Sequence, residues 1–128
     1  MARGALVIRR GAERDVPTIL RLIRGLAEYE RLAHEVEATT ARVRAHGFGR
    51  RRYFETIICR RAGKPVGFAL YFFTYSTFLA RPTLYLEDLF VLEEERGNNV
   101  GYRLMTALAA LAVERGCARL ELSVLHWN

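Results

Sequence analysis

Residues 84–128 constrain the fold more than any other part of the chain. Leu84, Leu86, Leu89, Val91 and Leu92, with Tyr85 and Phe90, form a β-prone run. Two carboxylates, Glu87 and Asp88, interrupt it where a core strand should be apolar. Three more acids and Arg96-Gly97-Asn98-Asn99-Val100-Gly101 follow. Val100, Leu104, Met105, Leu108, Leu111 and Ala112 then recur at helical spacing, and Gly116 suits the helix stop. Leu120, Leu122 and Val124 alternate with Glu121 and Ser123, which is the period of a strand. Strand, loop, helix and strand in this order predict a crossover unit whose two strands run parallel.

The loop carries the chemical signal. A glycine turn entering a helix presents unpaired N–H groups at the positive end of the macrodipole. Such an end holds phosphate without a lysine. Gly97 and Gly101 allow close backbone approach, and Asn98 or Asn99 can cap the helix. The same residues also fit a plain strand-to-helix turn.

The rest of the chain completes a mixed α/β layout. Leu6–Arg9 reads as a first strand. Asp15 and Pro17 mark a helix start, with Val16, Ile19, Leu20, Ile23, Leu26 and Ala27 as its apolar stripe. Gly25 lies within that helix at a cost of about 1 kcal/mol against alanine. Tyr29 and Glu30 lie at its end. Thr39 or Thr40 caps a short helix running to about His46, broken by Gly47-Phe48-Gly49. Tyr53–Arg60 and Val66–Thr74 read as strands joined by residues 61–65 into an antiparallel hairpin, with Ser76–Thr83 as a loop. The order β-α-α-β-β-β-α-β implies one mixed sheet with helices packed on its faces.

At 128 residues and 51% apolar composition, the chain suits one domain with a real core. No apolar run approaches the roughly 20 residues a membrane span needs, and the first residues do not form a secretory signal. Cys59 and Cys117 are far apart in apolar contexts and read as buried thiols, which favours the cytoplasm. His34 and His46 lack partners at metal-ligand spacing, so no metal site is expected. The net charge of +6 gathers at Arg42, Arg44, Arg50, Arg51, Arg52, Arg60, Arg61 and Lys64. A solvated face or a phosphate-bearing cofactor accounts for it better than nucleic acid, for which no aromatic-interleaved basic motif is present.

The pattern R-G-x-x-x-G after an acidic strand resembles the acetyl-CoA loop of the GNAT superfamily of N-acetyltransferases. YLED-x-x-V, RGNNVG, the terminal WN, ILRLIRGLAEYERL, HGFG and YFFTYST are similar to the spermidine/spermine (diamine) N-acetyltransferase branch, in that branch's order. The resemblance implies the GNAT fold, with acetyl-CoA as donor and a small primary amine as acceptor, a polyamine or a lysine-like amino acid. It implies that the strands flanking the loop splay apart to admit the pantetheine arm. Leu89, Phe90 and Val91 would offer backbone to the thioester. Arg96, Gly97, Asn98, Asn99, Val100, Gly101 and Tyr102 would hold the diphosphate, and Asn128 would line the cofactor arm. Tyr29 and Glu30 would border the amine pocket. Glu87 matches the family's proposed base or amine ligand. Asp88, its neighbour, is expected on the opposite sheet face. Where Asn99 stands the family usually has glycine, and asparagine tolerates positive φ better than most residues.

The resembled family continues past W-N with a helix bearing an F-Y pair, whose tyrosine is its proposed acid. No residue up to Asn128 matches that tyrosine. The expectation is therefore one GNAT domain over residues 1–128, truncated at its C-terminus, with an uncovered last strand that invites homodimer formation. The alternative is a truncated domain that binds CoA or a partner chain without turnover. A basic nucleic-acid module is the third reading.

Overall fold

The computed structural model describes residues 4–123. The elements are β1 (Leu6–Arg10), α1 (Val16–Tyr29), α2 (Thr40–Phe48), β2 (Glu55–Arg61), β3 (Lys64–Ser76), β4 (Arg81–Val91), α3 (Val100–Glu114) and β5 (Arg119–Leu122). The strands lie in the order β1-β2-β3-β4-β5. The first three pairings are antiparallel, and β4 and β5 are parallel, as a crossover through α3 requires.

Each sheet face has its own core. Ile57, Cys59, Ala69, Tyr71, Leu84 and Leu86 pack with Val100, Leu104, Leu108 and Ala112 of α3. On the other face Ile58, Phe68, Leu70 and Phe90 pack with Val16, Ile19, Leu20 and Leu26 of α1 and Val43 of α2. Alternate residues of β2 and β3 supply opposite cores, the expected result of a two-residue side-chain period.

Thr39 caps α2, its side chain accepting from the Arg42 amide at 3.1 Å. Asp15 precedes α1 but makes no side-chain cap to it. Its carboxylate instead accepts from the Ala12 amide at 2.8 Å and from Arg60 at 2.9 Å, tying the start of α1 to β2. Gly25 has a steric reason that helix propensity cannot show: a Cβ there would lie 2.8 Å from the Phe90 ring. The glycine lets α1 settle onto β4.

Two strand boundaries differ from expectation. The β2–β3 connection is only Ala62-Gly63, both at positive φ (52° and 79°), so pairing reaches Arg61↔Lys64. The Ser76–Thr83 loop shrinks to a turn at residues 77–80. Pairing continues to Ser76↔Arg81, and the Leu79 amide donates to Ser76 Oγ at the hairpin tip. Pro82 fits within β4 because its carbonyl accepts from the Ala118 amide on the β5 side. Its missing N–H therefore faces that side, and no β3 bond is lost.

Candidate active site

The site begins with an irregularity in β4. Tyr71 pairs with Leu86 and Leu70 pairs with Asp88, which leaves Glu87 without a β3 partner. Glu87 is thus the extra residue of a β-bulge. The bulge reverses the side-chain phase. Before it, the even-numbered residues Leu84 and Leu86 enter the α3 core; after it, the even-numbered Phe90 enters the α1 core. Asp88 therefore lies on the α1 face, near Glu30 at the C-cap of α1, while Glu87 stays exposed.

At the same point the described pairing of β4 with β5 ends. The last described β4–β5 pair is Leu86↔Leu122, and Tyr85 Oη lies 2.8 Å from Ser123 Oγ at the fork. Beyond it, among the described residues, Leu89, Phe90 and Val91 pair only with Ala69, Phe68 and Gly67 of β3. The Leu92 amide donates to the Val66 carbonyl at 2.9 Å, which makes Gly67↔Val91 a non-hydrogen-bonded pair. By alternation, Leu89 and Val91 direct their N–H and C=O groups away from β3, into the gap. Side-chain identity could not have revealed which residues supply these donors.

A cleft of about 370 Å³ occupies the fork, lined by Leu26, Glu30, Tyr85, Leu86, Glu87, Asp88, Leu89, Met105, Leu122 and Ser123. A smaller hollow of about 250 Å³ continues along Leu89, Phe90 and Val91 to Arg96 and Tyr29. Three carboxylates thus meet at one cleft. Burial first, then the charges of Glu87 and Glu30, raise the Asp88 carboxyl to about 6. Among the described residues no acid, His or Cys group is arranged to hold a metal ion. A larger groove of about 1060 Å³ runs along α1 past Arg21, Arg24, Lys64 and Arg96. It lacks the three carboxylates and the fork, so size alone would have pointed away from the chemistry.

The loop after β4 follows from its turn residues. Arg96 (φ −69°, ψ 141°) and Gly97 (φ 85°) are the central residues of a type II turn, closed by the Asn98 amide on the Glu95 carbonyl at 3.2 Å. Asn99 is left-handed (φ 67°, ψ 12°) and is the N-cap of α3, without a side-chain cap bond. The amides of Gly97, Asn99, Val100, Gly101 and Tyr102 find no backbone acceptor among the described residues. A Cβ at Gly97 would meet nothing within 4 Å, and one at Gly101 only Val91 Cγ2 at 3.9 Å. The turn is open, with its free amides at a helix start, a geometry that fits a diphosphate.

Two residues expected at the diphosphate point their side chains elsewhere. Arg96 Nε donates to the Val91 carbonyl at 3.1 Å, and its guanidinium lies 4.2 Å from the Tyr29 ring centroid. Asn98 Nδ2 lies 3.4 Å from Glu95 Oε1. Tyr29 accordingly sits at the loop end of the cleft, and Glu30 at the fork. Tyr102 is exposed on α3, and Asn128 lies outside the described residues. Of the arginine cluster, Arg44, Arg60 and Arg61 pair with Glu13, Asp15 and Glu95. Sequence reasoning missed Glu95, which is buried at the turn. Its partner Arg61 is 34 residues away, so no local pattern marks it.

Residues 19–128 match the model of the acetyltransferase (GNAT) family. The chain belongs to the GNAT acetyltransferase family. It is 39% identical over 131 residues to the bovine (Bos taurus) thialysine N-epsilon-acetyltransferase, covering 96% of this chain and 76% of that protein. It is 34% identical over 128 residues to the human (Homo sapiens) spermidine/spermine N(1)-acetyltransferase-like protein 1, covering 94% of this chain and 18% of that one. A solved aminoglycoside acetyltransferase from an uncultured soil metagenomic sample, in complex with sisomicin, superposes with a TM-score of 0.82 at 20% identity, over 95% of this chain and 79% of the other. That likeness speaks for the fold alone. As a member of this family the chain is an acetyl-CoA-dependent N-acetyltransferase. Among the described residues of this acetyltransferase, no helix is long and apolar enough to cross a membrane.

Proposed function

We propose that the protein acetylates a primary amine of a small cationic substrate, a polyamine or diamine or a lysine-like amino acid. The observation that carries this reading is the bulge at Glu87. It brings Glu87 and Asp88 to a cleft that Glu30 also lines, beside β4 backbone whose outer edge has no strand partner among the described residues. The names of the bovine and human relatives agree with it.

The chemistry follows from protonation. An alkylammonium has a pKa near about 10.4, so reaching the neutral amine at pH 7 costs roughly 4.6 kcal/mol. Glu87, exposed in the cleft, is placed to hold the ammonium and accept its proton, directly or through water. Glu30 and Asp88 add negative potential around the same position. Bound acetyl-CoA supplies the acetyl group as an activated thioester. The outward amides of Leu89 and Val91 are the fixed donors available to its carbonyl oxygen. The Gly97–Tyr102 amides would hold the diphosphate through backbone alone.

The test is a panel of amines with acetyl-CoA, read by thiol release. Spermidine, a short diamine, thialysine and an acetylated-amine control separate the classes. Turnover of at least one free cationic amine, and none of the control, is expected. Acetyl-CoA binding with no turnover of any amine would instead favour a domain that binds CoA without catalysis.

A further inference from the structure

Glu93, Glu94 and Glu95 precede the diphosphate turn, and of these only Glu95 is buried, at 6% exposure. A buried carboxylate beneath a phosphate-binding turn has the wrong sign for its position. Arg61, at the end of β2, answers it. Its Nε lies 3.3 Å from both Glu95 oxygens and its Nη2 lies 3.2 Å from Oε1. The pair is enclosed, with side-chain exposures of 15% and 8%. Glu95 also receives Asn98, by side chain on Oε1 at 3.4 Å and by the backbone bond that closes the turn.

We infer that Arg61 and Glu95 are positioning residues for acetyl-CoA, a strut that fixes the diphosphate turn to the sheet and cancels its buried charge. This rests on the reading of residues 97–102 as the diphosphate site. Glu95 holds Asn98, so the free amides that follow, from Asn99 to Tyr102, start from one defined direction. Arg61 holds Glu95 to an inner strand of the sheet. Removing Arg61 takes away the guanidinium donors that Glu95 accepts from, at the start of the turn that leads to the loop amides. Removing both leaves no buried carboxylate there, and an apolar pair can fill the space. Glu93 and Glu94 are exposed and screened by water.

The experiment is a double-mutant cycle on the full chain, with KM for acetyl-CoA, KM for the amine, kcat and melting temperature measured for each variant. Arg61→Met is expected to raise the acetyl-CoA KM about tenfold or more, with the amine KM within about twofold. Glu95→Gln, which still accepts hydrogen bonds, should raise it by no more than about threefold. Arg61→Met with Glu95→Met should recover at least about threefold over Arg61→Met alone. If Arg61→Met does not fold, Arg61→Lys takes its place, with an expected rise of about threefold because the bidentate grip is lost. A lowered melting temperature with unchanged acetyl-CoA KM would make the pair merely structural and overturn the inference. So would a double variant no better than Arg61→Met. A wild-type chain that does not bind acetyl-CoA would instead defeat the reading of the loop itself.

Discussion

The two halves of β4 share one partner strand and differ in everything else. From Thr83 to Leu86 the strand is flanked by β3 and β5, and its inward residues Leu84 and Leu86 are buried. From Leu89 to Val91 it has β3 alone among the described residues, and the outward amides face a cleft. One unpaired residue, Glu87, separates the halves. At this bulge the strand changes from a two-sided core element to one that lines a cleft, and its acids Glu87 and Asp88 sit at the change. The acids gather at that point because an irregular, solvent-reached backbone is where a carboxylate can sit without full desolvation.

Removing the boundary should have the largest effect. Deleting Glu87 removes the extra residue and leaves Leu86 and Asp88 consecutive opposite Tyr71 and Leu70, so Phe90 and the Leu84–Leu86 pair keep their separate cores. The fold should survive and melt within a few degrees of wild type, while kcat/KM for the amine falls by about 10²–10⁴-fold as the carboxylate is lost. A deletion variant that keeps wild-type turnover would break the comparison.

A smaller effect sharpens it. Asp88 titrates near 6 in the fold against 3.8 ordinarily, mainly from burial and then from Glu87 and Glu30. A carboxyl raised in this way contributes stability fully below about 3.8 and loses it as pH climbs through about 6. Asparagine carries no such loss. Asp88→Asn should therefore gain roughly 1–3 kcal/mol on wild type at pH 8 and none of that gain at pH 4, read by denaturant midpoints. An equal shift at both pH values would mean that the carboxyl is not held in the desolvated half of the strand.

The mildest change lies at the loop. Asn99 holds a left-handed conformation next to the free amides. Asn99→Gly relieves at most about 1 kcal/mol of backbone strain and clears a side chain, so a fall of a few-fold in the acetyl-CoA KM is expected. A rise would show that the asparagine side chain contributes a contact of its own.

Much of this was legible in residue order. The helical stripes, the Thr39 cap, the R-G turn and the crossover unit are local patterns, and they hold. The phase flip was half visible: two acids in an apolar strand signalled irregularity, and their neighbours' faces then depended on which residue stayed unpaired. Pairing decides that, and pairing is set by Leu70 and Tyr71 on another strand. Gly25 looked like a helix cost because its reason is the distant Phe90 ring. Pro82 looked like a loop residue because its N–H side depends on β5. Arg61 and Glu95 meet only after the sheet has formed. Local chemistry showed where the loop is, and long-range register showed what supports it.

The most direct test of the central claim is the rate of Glu87→Gln against pH from 6 to 9, with acetyl-CoA saturating and the best amine varied. A loss of about 10²–10⁴-fold in kcat/KM for the amine is expected, with the acetyl-CoA KM unchanged, because the carboxylate acts on the amine and the loop amides hold the donor. Equal rates for the two proteins across that range would contradict it.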